Sequence, residues 1–508
     1  MTWPEAQRWR LTPTLKSRLA WTWLLLLGHG LTQAQDALPA AVQEALNAAG
    51  LPAHSLAAVA IPLRHADRPW RHQPQRLMQP GSSIKLVTSV VALDRLGPNL
   101  RGFTELRSAA PLQGETLQGD LVLQGGGDVE LGVPQLWALL LDLRQAGVRH
   151  IQGQLLVDRN RYRPARLDQG LPPFDSAPEF PYNVIPDALM LNQGLLPLDL
   201  RATDTGVAAS TVPPLPGLTL DSQMTLVDAR CADWDNHWQP AQVSAQAEQT
   251  RITLQGAFPR GCVQRRALQL IDRSELTERL FRALWLGLGG SWSGRAVEAT
   301  PEQLPPGSRL LARRSGRPWG ELLRHLNKTS DNAWTRLLFL ELGVPSMASQ
   351  PGRSTLQLAT DEVMRWFLQA GIDTTGLVLD NGSGLSRSER ISPWQLAQML
   401  KVAYFGRHAS DLMMSLPTVG VDGTMGHRLK TGPAAGWARL KTGTLKNVVA
   451  LAGYVFDPQG RPWAVALIIN HDTLAAQGRP VLDALVDHFA RHGMHPAGPT
   501  VGPQGEGP

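Results

Sequence analysis

Two apolar, β-branched runs near the C-terminus, 448–455 (VVALAGYV) and 463–470 (WAVALIIN), bracket the turn sequence Asp457-Pro458-Gln459-Gly460. Strand-length runs on either side of a Pro/Gly turn predict an antiparallel hairpin. The segment Arg439-Leu440-Lys441-Thr442-Gly443-Thr444-Leu445 lies just before it and alternates as an edge strand does. An apolar-periodic stretch at 482–489 predicts a closing helix. A chain that ends this way must build a sheet with a helix packed on it. Its 508 residues are 43% hydrophobic and 18% charged, which excludes a coiled coil, a collagen-like chain and a mainly disordered one. At roughly 100–200 residues per domain the length predicts two to four domains.

The opposite end speaks to compartment. Arg8, Arg10, Lys16 and Arg18, set against Glu5, supply half of the net charge of +6. They precede an apolar stretch at 19–27, then Gly28 and Gly30, then Thr32-Gln33-Ala34. A basic segment, a short apolar core and small residues at a cleavage site describe a secretory signal peptide over 1–34. The alternative is an uncleaved anchor, but the apolar run is shorter than the ~20 residues that span a bilayer. The chain is therefore expected to be exported. With that leader set aside little net charge remains, and no long basic run or basic-aromatic stripe supports nucleic-acid binding.

Export favours a disulfide between the two cysteines, Cys231 and Cys262, closing a loop of about 30 residues worth about 3 kcal/mol in a chain-entropy model. Two free thiols or a catalytic thiol are the other readings, and no Cys-His constellation is visible for the latter. Short strand candidates at 121–123, 154–157 and 251–254, with Pro-rich loops at 172–186 and 213–216, make the middle of the chain β-rich. The Gly/Pro-rich tail 495–508 is expected to be disordered.

Three motifs carry chemistry. The first is Ser82-Ser83-Ile84-Lys85, at the head of an apolar run that Gly97-Pro98 stops. At i and i+3 the two side chains share a helical face. A buried lysine there can take the hydroxyl proton, whereas the plain alternative is a capping serine with a surface lysine. The chain has only seven lysines, and this is its single Ser/Thr-x-x-Lys. The second is Ser330-Asp331-Asn332, where a hydroxyl can relay a proton and a carboxamide can hold an amide; simple helix capping is the alternative. The third is Lys441-Thr442-Gly443-Thr444 on the edge strand, a cationic edge along which a peptide carboxylate can lie. Lys430-Thr431-Gly432 repeats it, but Pro433 follows at once and would break a strand.

Each motif is weak alone, and their order is specific. Ser-x-x-Lys, Ser-Asp-Asn and Lys-Thr-Gly in this sequence, before a C-terminal hairpin, resemble the low-molecular-mass class C penicillin-binding proteins, the D-alanyl-D-alanine carboxypeptidase/endopeptidases. The segments Asp380-Asn381-Gly382-Ser383-Gly384-Leu385-Ser386-Arg387, 123–128, 153–158 and Asp422-Gly423-Thr424-Met425 resemble that family further, with Asn381 departing from its D-G-S-G-L-S-R pattern. The resemblance extends over roughly residues 36–495.

It implies an α/β (α+β) fold with a catalytic domain like that of penicillin-binding proteins and serine β-lactamases. More than 240 residues separate Lys85 from Ser330, so that domain would be discontinuous, from 35–100 and 305–494, with β-rich inserted domains at 101–304 holding the cysteine pair. It implies Ser82 as acyl-enzyme nucleophile, Lys85 as general base, Ser330 and Asn332 for proton transfer and positioning, and Lys441, Thr442, Gly443 and Thr444 for substrate binding. The N–H groups of Ser82 and Thr444 would form the oxyanion hole. Peptidoglycan stem peptides would be the substrate and β-lactams acylating inhibitors, with no metal or other cofactor, a periplasmic location, and a homodimer left open. Two rivals remain. A β-lactamase of the same first step would need a deacylating glutamate, for which Glu362 qualifies by position only. A catalytically idle peptidoglycan binder would be expected to have lost Lys85 or Lys441.

Overall fold

The computed structural model describes residues 36–493 apart from 65, 247–248 and 474. The expected leader (1–34) and tail (495–508) lie outside the described residues.

A five-stranded antiparallel sheet joins the two flanks of the chain. Strands β1 (Leu56–Pro62) and β2 (Trp70–His72) come from the N-terminal flank, and β3 (Arg439–Leu445), β4 (Val448–Phe456) and β5 (Pro462–Asn470) from the C-terminal one. Their order is β3-β4-β5-β1-β2, with β1 held to β5 from Leu56↔Ile469 to Pro62↔Trp463. The hairpin forms as its apolar runs require, and the alternating segment at 439–445 is the sheet edge.

Both faces of this sheet are covered, which is why its central strands are apolar throughout rather than alternating. On one face Val449, Leu451, Val465, Leu467 and Ile469 pack on helices α1 (Ala40–Ala48) and, at the chain's end, the helix Arg479–His492, which buries Val481, Leu482, Leu485, Val486 and Phe489. Each of those side chains contributes up to about 1.5–3 kcal/mol of transfer free energy. On the other face small residues, Ala452, Ala464 and Ala466, admit helix α2 (Lys85–Leu96). Every residue of α2 from Lys85 to Leu93 is buried, so it is a central helix rather than a surface one. Around it pack α3 (Trp319–Thr329), α4 (Asn332–Glu341) and α5 (Pro393–Phe405).

The residues between α2 and α3 form a second core built of strands and two helices. Its largest sheet runs Ala296–Glu298, Leu155–Asp158, Leu121–Gly126, Arg101–Ser108, Arg309–Pro318. The last of these strands pairs with Arg101–Ser108 from Arg309↔Ser108 to Pro318↔Arg101. Cys231 and Cys262 are disulfide-bonded within this core, with Cα atoms 5.2 Å apart. Trp234 is buried there, and the Trp238 indole N–H donates to Glu179 Oε1 at 2.7 Å. Both rings pack with Phe180 and with each other, Trp238 remaining half-buried.

Candidate active site

Ser82 sits on the 3₁₀ turn Gly81–Ile84, which runs directly into α2. Lys85, the first α-helical residue, lies one turn on and has no exposed surface. Its Nζ is 3.1 Å from Ser82 Oγ and 2.6 Å from Asn332 Oδ1, and it donates to the Ser383 carbonyl as well. A capping serine with a solvated lysine is thereby excluded.

Burial pulls the Lys85 amine down to about 7, opposed by the charges of Glu389 and Asp331 and aided by that of Arg336. Near neutral pH a large share of it is the free amine, with two N–H donors and one lone pair. Asn332 Oδ1 and the Ser383 carbonyl can occupy the donors, which turns the lone pair to the Ser82 hydroxyl. That is the arrangement a general base needs.

Ser330 and Asn332 stand where α3 ends and α4 begins. Ser330 closes α3 in the left-handed conformation (φ 63°, ψ 40°), a state that costs a non-glycine residue about 1–2 kcal/mol. Asp331 then caps α4 by accepting from the Trp334 N–H at 2.8 Å. The reversal points Ser330 Oγ to Lys441 Nζ at 2.8 Å, and Asn332 to Lys85. Asn332 Nδ2 also donates to the Tyr182 carbonyl at 2.9 Å, linking the site to the inserted region.

Lys441 is fully buried on β3. Desolvation, and then the charge of Lys85, hold it well below the ordinary lysine range. Thr442 Oγ1 lies 2.8 Å from Thr424 Oγ1, and the Thr444 side chain is exposed. Gly443 is where β3 meets the serine turn: a Cβ there would lie 2.5 Å from the Pro80 carbonyl oxygen and 3.1 Å from the Ser83 nitrogen. Gly81, at φ +52°, also lies against the backbone of 443–444, its Cβ position being 3.3 Å from Thr444 N. The backbones of residues 81–83 and 443–444 are therefore in contact. Of the residues singled out from sequence, Ser82, Lys85 and Asn332 form one hydrogen-bonded group and Ser330 and Lys441 a second, with Thr442, Gly443 and Thr444 continuing the strand from Lys441. Cys231 and Cys262 lie elsewhere, in the inserted core.

Sequence reasoning marked the segment behind the lysine but gave it no role. The loop 380–386 supplies the Ser383 carbonyl, and the carboxylate of Glu389 holds that loop by its N–H groups. The D-N-G-S-G-L-S-R string marked the loop, but a backbone carbonyl has no signature of its own. Beside it opens a cleft of about 510 Å³, lined by Phe174, Asn183, Arg336, Asn381, Leu385 and Arg387 among others. Glu362, the one candidate for a deacylating glutamate, pairs instead with Arg95 at 2.7 Å and with Arg365 on its own helix. Lys430-Thr431-Gly432 lies in an irregular bend and joins no strand.

Residues 38–491 match the D-Ala-D-Ala carboxypeptidase 3 (S13) family. The D-alanyl-D-alanine carboxypeptidase of an Actinomadura species is 27% identical over 436 residues, 82% of this chain and 78% of that protein. The D-alanyl-D-alanine carboxypeptidase DacB of Haemophilus influenzae is 26% identical over 408 residues, 77% and 80% of the two chains. The crystal structure of penicillin binding protein 4 (dacB) from Haemophilus influenzae superposes with a TM-score of 0.72 at 24% identity, covering 88% of this chain and 98% of that one. That likeness shows a shared fold.

Proposed function

The chain belongs to the D-Ala-D-Ala carboxypeptidase 3 (S13) family and is a serine-type D-Ala-D-Ala carboxypeptidase, and from that premise we propose that Ser82 is its nucleophile and Lys85 its general base. The observation that carries this assignment is the buried Lys85 amine 3.1 Å from Ser82 Oγ, with acceptors for its two N–H groups.

Lys85 takes the Ser82 proton as Oγ attacks the carbonyl carbon of the D-Ala–D-Ala amide. The N–H groups of Ser82 and Thr444, on the two backbones that Gly81 and Gly443 bring together, stabilise the oxyanion. Lys441 and Ser330 form the second proton path, from Nζ through Oγ to the leaving amine. D-Ala departs, Ser82 holds the acyl group as an ester, and water hydrolyses it.

Lys441, Thr442 and Thr444 hold the terminal carboxylate of the stem peptide. Its arrival offers the buried Lys441 an opposite charge, so Lys441 is protonated when the peptide binds and gives that proton up, through Ser330, only as the amine leaves. That positive charge lowers Lys85 further and favours the free amine when there is a substrate to attack. The same attack on a D-Ala–diamino acid cross-link makes the enzyme an endopeptidase. On a β-lactam it gives a penicilloyl ester on Ser82.

The catalytic domain in this reading draws on both flanks, with the inserted domains from residue 101 onward roofing one side of the cleft. Residues 1–34 are a cleaved leader and the mature enzyme is periplasmic.

Release of D-Ala from a peptide ending in D-Ala-D-Ala tests the assignment. The wild type is expected to release it, and Ser82→Ala and Lys85→Ala to fall to background. Release by either variant at a rate near that of the wild type would remove that residue from its role.

A further inference from the structure

We propose that Glu389 is a positioning residue for acylation, one that holds the Ser383 carbonyl against the Lys85 amine and sets the charge around that amine. The proposal rests on the reading of Lys85 as general base.

Glu389 has no exposed surface and lies outside every motif that identified the site. Its Oε1 accepts three successive backbone N–H groups, from Gly382 at 2.9 Å, Asn381 at 3.2 Å and Asp380 at 3.4 Å. A single oxygen thus gathers the start of the loop into a fixed curl. Gly382 and Gly384 follow it with φ of +69° and +86°, and a Cβ at Gly384 would lie 2.3 Å from the Gly81 carbonyl oxygen. The loop is consequently wedged between its glutamate anchor and the turn that carries Ser82. Thr88 Oγ1, one turn along α2 from Lys85, donates to the Gly382 carbonyl at 2.8 Å. The next carbonyl, that of Ser383, accepts from Lys85 Nζ.

This carbonyl decides where the amine's lone pair points. Asn332 Oδ1 takes one N–H of the free amine and Ser383 O takes the other. If the carbonyl moves, the second N–H can turn to Ser82 Oγ, and the lone pair leaves the hydroxyl it must deprotonate. Position alone makes Glu389 matter to the base.

Charge adds to it. The groups that face Lys85 are Glu389 and Asp331, which favour its protonated form, with Arg336 and Lys441, which disfavour it. Glu389 is faced in turn by Asp380 and Arg336, and burial raises its own carboxyl above the usual range. Three donated N–H groups favour the carboxylate. Removing that negative charge should let Lys85 lose its proton at lower pH.

Glu389→Gln keeps an acceptor oxygen for the three N–H groups and removes the charge. Penicillin acylation of the full chain, followed by intact mass against pH, is expected to show its acidic limb about one unit below that of the wild type. In Glu389→Ala, which loses the anchor as well, the plateau rate is expected to fall about 100-fold. The affinity of that variant for a D-Ala-D-Ala peptide, read before acylation, should stay close to that of the wild type. A purely structural role moves neither the limb nor the rate apart from the affinity.

An unmoved limb in the glutamine variant, with the adduct mapped to Ser82, overturns the proposal and leaves the nucleophile standing. An adduct mapped to another residue overturns the nucleophile assignment and this proposal with it. Should the glutamine variant melt early, Glu389→Asp, which keeps the charge on a shorter stem, is read instead. Its limb should stay with the wild type while its plateau falls, and an unchanged plateau would refute the anchor.

Discussion

Gly443 on the sheet edge packs so closely on Pro80 that a Cβ at Gly443 would fall 2.5 Å from the Pro80 carbonyl oxygen. The contact is backbone on backbone, so no side chain can swing aside to relieve it. It brings the strand that carries Lys441-Thr442-Gly443-Thr444 against the turn that carries Ser82. Gly443→Ala is therefore expected to push the two apart and widen the spacing of the Ser82 and Thr444 N–H groups. Loss of one oxyanion donor lowers the rate by about 100-fold or more. Acylation kinetics should show that loss, while the fold, monitored by its melting temperature, is largely kept. Acylation as fast as in the wild type would mean that the oxyanion is held elsewhere.

The protonation state of Lys85 gives a pH dependence. Burial lowers the amine to about 7, and only the free amine can accept the Ser82 proton. Acylation should rise with pH through about 7 and level off above it. Lys85→Arg keeps the positive charge and cannot deprotonate in this range. It should lose about 1,000-fold or more in acylation rate, the upper part of what a general base supplies. A flat profile from pH 5 to 9 would contradict the role of Lys85.

Lys441 makes a different prediction. It is buried and hydrogen-bonded to Ser330 Oγ, and the proposed mechanism gives it the peptide's terminal carboxylate. Lys441→Ala should weaken capture of peptides ending in a free carboxylate more than of their amidated counterparts. A charge-assisted hydrogen bond of about 1.5–3 kcal/mol corresponds to roughly 10- to 150-fold in kcat/KM between the two. Equal losses on both would remove Lys441 from the carboxylate site.

Glu341, at the end of α4, ties the inserted region to the helices around α2. Its carboxylate accepts from Arg161 at 2.6 and 2.7 Å and from the Tyr162 hydroxyl at 2.5 Å, and it is 4% exposed. Removing one partner of a buried, multiply bonded pair leaves the others uncompensated, at a cost of about 3 kcal/mol. Glu341→Ala should lower the urea midpoint by that equivalent and leave penicillin acylation at low urea intact. An unchanged midpoint would mean that the two parts dock by other contacts.

Much of the site could be read from residue types, because its chemistry resides in side chains at short spacings. Ser82 and Lys85 share a helical face, and a lysine in so Lys-poor a chain, followed at once by apolar residues, is a candidate for burial. The hairpin was equally legible, since two strand-length apolar runs around a Pro/Gly turn have few other folds. Glu389 was not, because it binds backbone N–H groups seven to nine residues back and leaves no pattern of side chains. One strand pairing is illegible for a related reason. The strand Arg309–Pro318 finds its partner in Arg101–Ser108, some 200 residues earlier, and antiparallel pairing over that distance has no local mark. Trp234 and Trp238 carry no mark of their partners in a linear reading, since the aromatic cluster they join is assembled only by the fold.

Intact-mass analysis after exposure to penicillin, comparing wild type with Ser82→Ala over time, tests the central claim most directly. The account predicts a lasting adduct of one penicillin on the wild type and none on the variant. An equal adduct on Ser82→Ala would contradict it by showing another nucleophile, and rapid drug turnover with no adduct would make the protein a β-lactamase.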